Sequence, residues 1–284
     1  MRQYNEADRL RQMIAAVGAH SRYNRSMTVT QHSATIIERR TAGPAVELVL
    51  AEPELSRLLR PGQPVLVKAG PGLAPYLRRT LYPIALEEGS FTLRIPPSAD
   101  WGDAWLRTAP VGATVDCLGP VGLGFSLDPR VRNLLCVGEG EAAWHLLPVL
   151  QWADAAGLSV TLVIAAQSMR GALPPGRLPA GVEYQVVTSD GRPDVLKPLM
   201  STLSDLLPWA EAMCAAASLE AYGPLAEAVA SARFTLARGF AQVIYPMQFL
   251  CGTGACQACV ADVAGGRRRV CLRGPVFDLV DLRG

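Results

Sequence analysis

Four of the chain's seven cysteines fall within one short stretch near its end. They read Cys251-Gly252-Thr253-Gly254-Ala255-Cys256-Gln257-Ala258-Cys259, with Cys271 following after eleven more residues. C-x4-C-x2-C with a distant fourth cysteine is the plant-type spacing for a 2Fe-2S cluster. Three thiolates must converge from one tight loop, and Gly252 and Gly254 permit the unusual φ values and close backbone approach such a loop needs. A structural zinc site usually takes two separated C-x2-C pairs; only one is present, which favours iron-sulfur over zinc. An odd cysteine count with this clustering argues for a metal site in a reducing compartment rather than a disulfide framework, so the cytoplasm is the expected address. Cys117, Cys136 and Cys214 lie in apolar, strand-like runs and read as small core residues.

The remainder of the 284 residues divides by period. Leu10, Met13, Ile14 and Val17 follow helical spacing, so residues 6–18 read as a short amphipathic helix that caps the fold or docks a partner. From Met27 to Cys117 short β-type runs (33–37, 46–50, 64–68, 91–95 and 114–118) alternate with Gly and Pro, as in a small antiparallel barrel. After Asn133 strands and helices alternate: strand 134–137, helix 142–156, strands 159–165 and 182–188, helix 196–207, strand 212–216 and helix 225–238. That order calls for a parallel sheet covered by helices, a Rossmann-like unit. The last forty residues hold little regular pattern. The fold expected is therefore multidomain: an N-terminal helical extension (1–26), an antiparallel β-barrel (27–130), an α/β Rossmann-like parallel-sheet domain (131–240) and a small cluster domain (241–284).

Composition narrows the function. Net charge is +2 and Lys68 and Lys197 are the sole lysines, so no basic stripe for nucleic acid is present. No apolar run approaches the roughly 18 residues of a membrane span. His20, His32 and His145 are scattered, which speaks against a separate zinc or catalytic histidine site. Neither a G-x-S-x-G elbow nor a P-loop lysine motif occurs.

The segment 250–279, with CGTGACQACV and VCLRGPVFDL, resembles the C-terminal cluster domain of dihydroorotate dehydrogenase electron-transfer subunits, within the ferredoxin-reductase superfamily. The likeness runs through the order barrel, Rossmann-like domain, cluster, over residues 27–284. It implies a barrel that binds FAD, a second domain that binds NAD, and a hetero-oligomer with an FMN-containing dihydroorotate dehydrogenase catalytic subunit of pyrimidine biosynthesis. Electrons would run from the partner's FMN through the cluster to FAD and then to NAD. It also implies cluster ligation by Cys251, Cys256, Cys259 and Cys271. Leu77-Arg78-Arg79-Thr80-Leu81-Tyr82-Pro83-Ile84 is similar to the family's Arg-Arg-Pro-hydrophobic-Ser-Ile flavin segment, which assigns Arg79, Thr80, Leu81 and Tyr82 to the flavin. Arg79 suits a diphosphate, because its planar donors clamp two oxygens. Leu93, Arg94 and Ile95 match the next flavin-contacting strand, and Gly102-Asp103 takes the place of the family's Gly-Thr at the phosphates. Gly119-Pro120-Val121-Gly122-Leu123-Gly124-Phe125 is similar to the family's GPLGxGF turn.

The nucleotide segment departs from that pattern. Gly138-Glu139-Gly140-Glu141-Ala142-Ala143 satisfies a bare G-x-G-x-x-A template. Yet Glu139, Glu141, Ala142 and His145 stand where the family has glycine, isoleucine, glycine and proline. Two carboxylates at a helix N-terminus stabilise the helix and repel a diphosphate. The strand ending at Ala165 is followed by Ala166-Gln167-Ser168, without an acidic residue for a ribose. In Ala221-Tyr222-Gly223-Pro224, Tyr222 replaces the family's cysteine and is expected to cover the flavin face. These departures speak against NAD. They leave two readings: an oxidoreductase subunit linked to NAD, or an FAD and 2Fe-2S carrier, accessory or redox-sensing subunit whose nucleotide domain is a scaffold.

Overall fold

A computed structural model describes residues 29–70, 72, 76–98, 100–189 and 195–282. The expected helix 6–18, and the segment 1–26 with it, lie outside the described residues. The first unit contains β1 (Thr30–Ala42), β2 (Ala45–Ala51), α1 (Pro53–Leu58), β3 (Val65–Val67), β4 (Arg79–Leu81), β5 (Pro83–Glu87), β6 (Ser90–Ile95), α2 (Trp101–Thr108) and β7 (Thr114–Gly119). Its seven strands form one nearly closed antiparallel barrel sheet in the order β4-β3-β7-β1-β2-β6-β5. Alternation sends Ala34, Ile36, Leu48, Leu50, Leu93 and Ile95 into its core. The five expected strands are all present, and β1 extends five residues beyond its apolar run because it pairs with both β2 and β7.

Four barrel elements carry too little pattern to be read in advance. Strand β4 is three residues long, and β5 begins at Pro83 on the sheet edge, where a missing N–H costs no ladder bond. Helices α1 and α2 are announced by their caps. The Glu52 side chain accepts from Leu55 N, and Asp100 Oδ1 accepts from Gly102 N at 2.8 Å.

The second unit opens with β8 (Asn133–Glu139), a 3-10 turn (Gly140–Leu146) and α3 (Leu147–Ala155). It continues through β9 (Ser159–Ala166), β10 (Val182–Thr188), α4 (Leu196–Leu206), β11 (Ala212–Ala216) and α5 (Leu219–Arg233) to β12 (Ala241–Ile244). The chain then forms the hairpin β13 (Val260–Val263) and β14 (Gly266–Arg269), the short α6 (Val270–Arg273) and β15 (Val276–Asp278). The larger sheet has the order β10-β9-β8-β11-β12-β15, parallel except for the last pair. Its two faces are buried under separate apolar clusters, one around Leu134, Leu150 and Leu162 and the other around Leu135, Leu203 and Val229.

Three findings differ from the sequence reading. The helix expected over 142–156 is α-helical only from Leu147, because Pro148 sits in its first turn and supplies no N–H to an earlier carbonyl. The helix expected over 225–238 runs over Leu219–Arg233. It accommodates Pro224 and stops where Phe234 turns left-handed at φ 62°. The sheet also continues past residue 240, since β12 and β15 complete it, and the last forty residues hold three further strands besides β12. No helix among the described residues is long and apolar enough to cross a membrane.

Candidate cofactor sites

The cysteine loop lies between β12 and β13, against the barrel wall. Phe249 and Cys271 join Leu66 and Val121 of the barrel in one apolar cluster that also contains Cys259, Val270 and Phe277. Two polar ties fix the approach to the loop: Phe249 N–H donates to Thr80 Oγ1 at 2.8 Å, and Thr80 N–H donates to Gln248 Oε1 at 3.3 Å. Thr80, read from sequence as a flavin contact, therefore joins β4 to the stretch just before Cys251. Inside the loop Gly254 has φ +77°, and a Cβ there would stand 2.5 Å from Leu272 Cδ1. Arg269 Nη1 donates to Gly254 O at 2.9 Å, and Val270 N–H donates to Cys259 O at 2.7 Å.

All seven cysteines are free thiols. Burial pushes the Cys271 thiol up to about 12, assisted by the neighbouring Cys259 thiol, and it also senses the charge of Cys251. Burial likewise raises Cys251, but hydrogen bonds from Cys256 and Thr253 outweigh it and bring the thiol down to about 6. Cys256 and its neighbours Ala255, Gln257 and Ala258 are exposed, whereas Cys259 and Cys271 are buried. A thiol set shared between the protein interior and an open lip fits an iron-sulfur cluster, which needs sulfur ligands and a route for electrons to the surface. Cys117 and Cys136 are buried strand residues whose thiols are raised by desolvation, consistent with core packing.

One trio of potential ligands, His32, Glu52 and Glu54, is close enough to share an ion among the described residues. Two of its groups are engaged otherwise: His32 Nε2 bonds Thr30 Oγ1 at 2.7 Å, and Glu52 caps α1.

The flavin segment lines the barrel rim facing the second unit. Arg79 on β4 pairs with Asp100 and lies 3.5 Å from Asp103, the two acidic residues at the start of α2. Arg94 on β6 lies 3.8 Å from Glu47 and 3.2 Å from Glu141, with its guanidinium 3.8 Å above the Trp144 ring. Leu93 and Ile95 point the other way, into the barrel core, so Arg94 alone of those three faces the rim. Leu81 packs against the same core, while Gly102 and Asp103 open α2 beside Arg79. The Tyr82 ring stacks on His145 with centroids 4.4 Å apart. Burial raises the Tyr82 phenol and lowers His145 to about 4, so both are neutral near pH 7.

Among the described residues, the buried side-chain polar atoms without a hydrogen-bond partner are Arg79 Nε, Tyr82 Oη, Arg94 Nη1 and Asp116 Oδ1. Three of these four belong to residues that sequence reading assigns to the flavin. Arg79 Nε and Arg94 Nη1 have only long ion-pair partners, Asp103 and Glu47, and Tyr82 Oη has none, so the rim retains polar capacity that a bound cofactor such as FAD fits.

The crevice between β8 and β11 is built differently from expectation. Glu139 and Glu141 do not crown an α-helix, because the 3-10 turn intervenes before α3. Glu139 Oε2 instead accepts from Ser218 N–H at 2.8 Å, across the crevice, and Glu141 reaches over to Arg94. Tyr222 does not cover a flavin face either. It is 2% exposed in the core beneath α5, where its hydroxyl accepts from Ala217 N–H at 3.2 Å and donates to Ile244 O.

Comparison with known proteins agrees with this architecture. Residues 247–283 match the family model for the iron-sulfur cluster binding domain of dihydroorotate dehydrogenase B. The electron transfer subunit of dihydroorotate dehydrogenase B (NAD(+)) from Bacillus caldolyticus is 31% identical over 263 residues, covering 88% of this chain and 95% of the relative. The corresponding Streptococcus thermophilus subunit is 28% identical over 259 residues, covering 86% and 95%. Among solved structures, the NADH-dependent reduced ferredoxin-NADP oxidoreductase superposes with a TM-score of 0.70 at 21% identity, covering 87% of this chain and 88% of the other, which shows a shared fold.

Proposed function

Because the chain belongs to the family of dihydroorotate dehydrogenase B electron transfer subunits, we propose that it carries electrons between a partner dehydrogenase and a flavin through a 2Fe-2S cluster held by Cys251, Cys256, Cys259 and Cys271. The observation that carries this reading is a loop with three free thiols, tied to the flavin strand and open to solvent at Cys256, with the fourth, Cys271 on α6, hydrogen-bonded to Cys259. The partner proposed is an FMN-containing catalytic subunit like dihydroorotate dehydrogenase, in a hetero-oligomer, and the free thiols suit a cytoplasmic address.

The bound groups supply the electron chemistry: a flavin handles one or two electrons, and a cluster handles one at a time. The chain's own residues position them. Thr80 and Gln248 hold the cluster loop against β4, at the flavin rim. Arg79 is the diphosphate clamp, with Asp100 and Asp103 orienting its guanidinium. Arg94 faces the flavin rim, held between Glu47, Glu141 and the Trp144 ring. Tyr82, Gly102 and Asp103 complete the rim, and Leu81 anchors β4 to the barrel core behind it. The hairpin β13–β14 carries Arg267, Arg268 and Arg269, all exposed, beside the cluster lip, and this basic edge suits an acidic partner face.

The test is anaerobic mixing of the purified chain with an FMN-containing dihydroorotate dehydrogenase and dihydroorotate. Bleaching of the cluster and flavin bands that depends on both additions is expected. Bands that persist while the partner's own FMN is reduced contradict the reading.

Arg79→Ala provides a separate check on the flavin site. Without the guanidinium, Asp100 and Asp103 face the diphosphate uncompensated, so flavin content is expected to fall about tenfold or more while iron content is unchanged. Wild-type flavin occupancy in this variant would remove Arg79 from the site.

A further inference from the structure

Open α/β sheets bind nucleotides outside the carboxyl ends of their strands, where the strand order reverses. Here that point is fixed by the topology: from β8 the chain proceeds to β9 and β10 on one side, and then to β11 and β12 on the other. The crevice therefore lies between the end of β8, at Gly138–Glu139, and the end of β11, at Ala216–Ser218. A dinucleotide site at this place needs free backbone amides at a helix N-terminus to receive the diphosphate. At the first candidate terminus the helix is replaced by a 3-10 turn, and at the second a carboxylate already sits on the cap amide.

After β8 the chain enters a 3-10 turn, and a Cβ on Gly138 would stand only 2.6 Å from Ala143 Cβ, so the turn is packed directly on the strand end. The next true helix starts at Leu147, among buried residues and with Pro148 in its first turn. After β11 the N-cap of the fifteen-residue helix α5 is Ser218, and its N–H is taken by the Glu139 carboxylate at 2.8 Å. A second amide in the same crevice, Ala217 N–H, is taken by the Tyr222 hydroxyl. The mouth is closed from the barrel side as well. Glu141 pairs with Arg94, Arg177 donates to both oxygens of the fully buried Glu47 at 2.9 Å, and Tyr82 stacks on His145.

We propose that Glu139 is a built-in occupant of the dinucleotide anion site, and that this chain therefore does not exchange electrons with NAD(H). A carboxylate at the N-terminus of α5 is stabilised by the Ser218 amide and the helix dipole that would favour a diphosphate, and as part of the chain it competes intramolecularly with any free ligand. Electrons then enter and leave through protein partners alone. The inference rests on the proposed carrier function for its setting, but its direct readout, nucleotide binding, does not depend on that function.

The experiment is calorimetric titration of the purified full-length holoprotein with NADH and with ADP-ribose, followed by anaerobic addition of NADH and then dithionite to the same preparation. No binding at millimolar ligand, no bleaching by NADH and full bleaching by dithionite are expected. Stoichiometric NADH binding, or flavin bleaching by NADH, overturns the proposal. A preparation without bands that dithionite can bleach counts against the carrier function, and calorimetry still decides this inference. The variant Glu139→Gly frees the Ser218 amide and is expected to make ADP-ribose binding detectable at millimolar ligand, where the wild-type chain shows none. Continued absence of binding in a folded variant removes Glu139 as the occupant.

Discussion

Cys256→Ser is expected to purify without the visible bands of the cluster, with iron reduced to background, and with residues 247–283 open to proteolysis. Cys256 is exposed and makes no contribution to the apolar core, so the exchange itself costs little packing. The effect comes through the cluster: a metal centre held by four residues links its binding energy to the folding of the segment that holds it. Ahead of β15, which the larger sheet holds, that segment has few other means of support. The hairpin β13–β14 is isolated from both large sheets and α6 is four residues long, leaving the small cluster around Phe249, Val270 and Cys271 as its core. Cys117→Ala, in a barrel strand, is the control and should leave the iron content at the wild-type level. Iron analysis with limited proteolysis reads both variants. Normal iron in the Cys256 variant would exclude that residue as a ligand.

Gly122→Ala is expected to be the most damaging single methyl group outside the cluster loop. Gly122 has φ +68°, and a Cβ there would lie 2.0 Å from Gly274 O and 2.9 Å from Pro275 Cδ. The turn 119–125 meets the segment that follows Cys271 backbone to backbone, and Gln63 Nε2 braces it through Gly122 O at 2.6 Å. A left-handed alanine costs about 1–3 kcal/mol and overpacking a similar amount, against a total stability of about 5–15 kcal/mol. A fall in Tm of roughly 5–15 °C is expected, with earlier loss of the cluster, because the displaced strand β15 belongs to the larger sheet. Thermal melts followed at a cluster wavelength and by circular dichroism read the two effects together. Gly43→Ala, in a tight turn with open space at its Cβ, separates the cost of φ from the cost of the clash. Equal losses in the two variants would show that the close approach to Gly274 carries no weight.

The parts legible from sequence are those where one pattern dominates. Val182–Thr188 and Ala212–Ala216 are apolar or alternating runs bounded by turns, and both strands stand where their pattern ends. The cysteine spacing is legible because a metal cluster imposes it. What escaped reading is set by contacts distant in sequence. Thr80 reads as a flavin contact until Phe249, 169 residues away, is seen donating to its hydroxyl. Glu139 and Glu141 invite a repulsion argument from local charge. Their actual partners, Ser218 and Arg94, lie 79 and 47 residues away and turn both carboxylates into cross-braces. Tyr222 likewise matches a motif position, but its phenol is captured by the ends of two neighbouring strands. Leu93 and Ile95 are a simpler case: they flank Arg94 in a strand whose alternation sends them inward, so only one of the three can face a ligand.

The most direct test of the electron-carrier account is quantitation of iron, acid-labile sulfide and flavin in the purified full chain, with electron paramagnetic resonance after anaerobic dithionite. About two irons, two sulfides and one flavin per chain, with a reduced 2Fe-2S signal that disappears in Cys256→Ser, is the predicted result. Zinc in place of iron at the four cysteines, or a chain that binds neither flavin nor iron, would contradict the account.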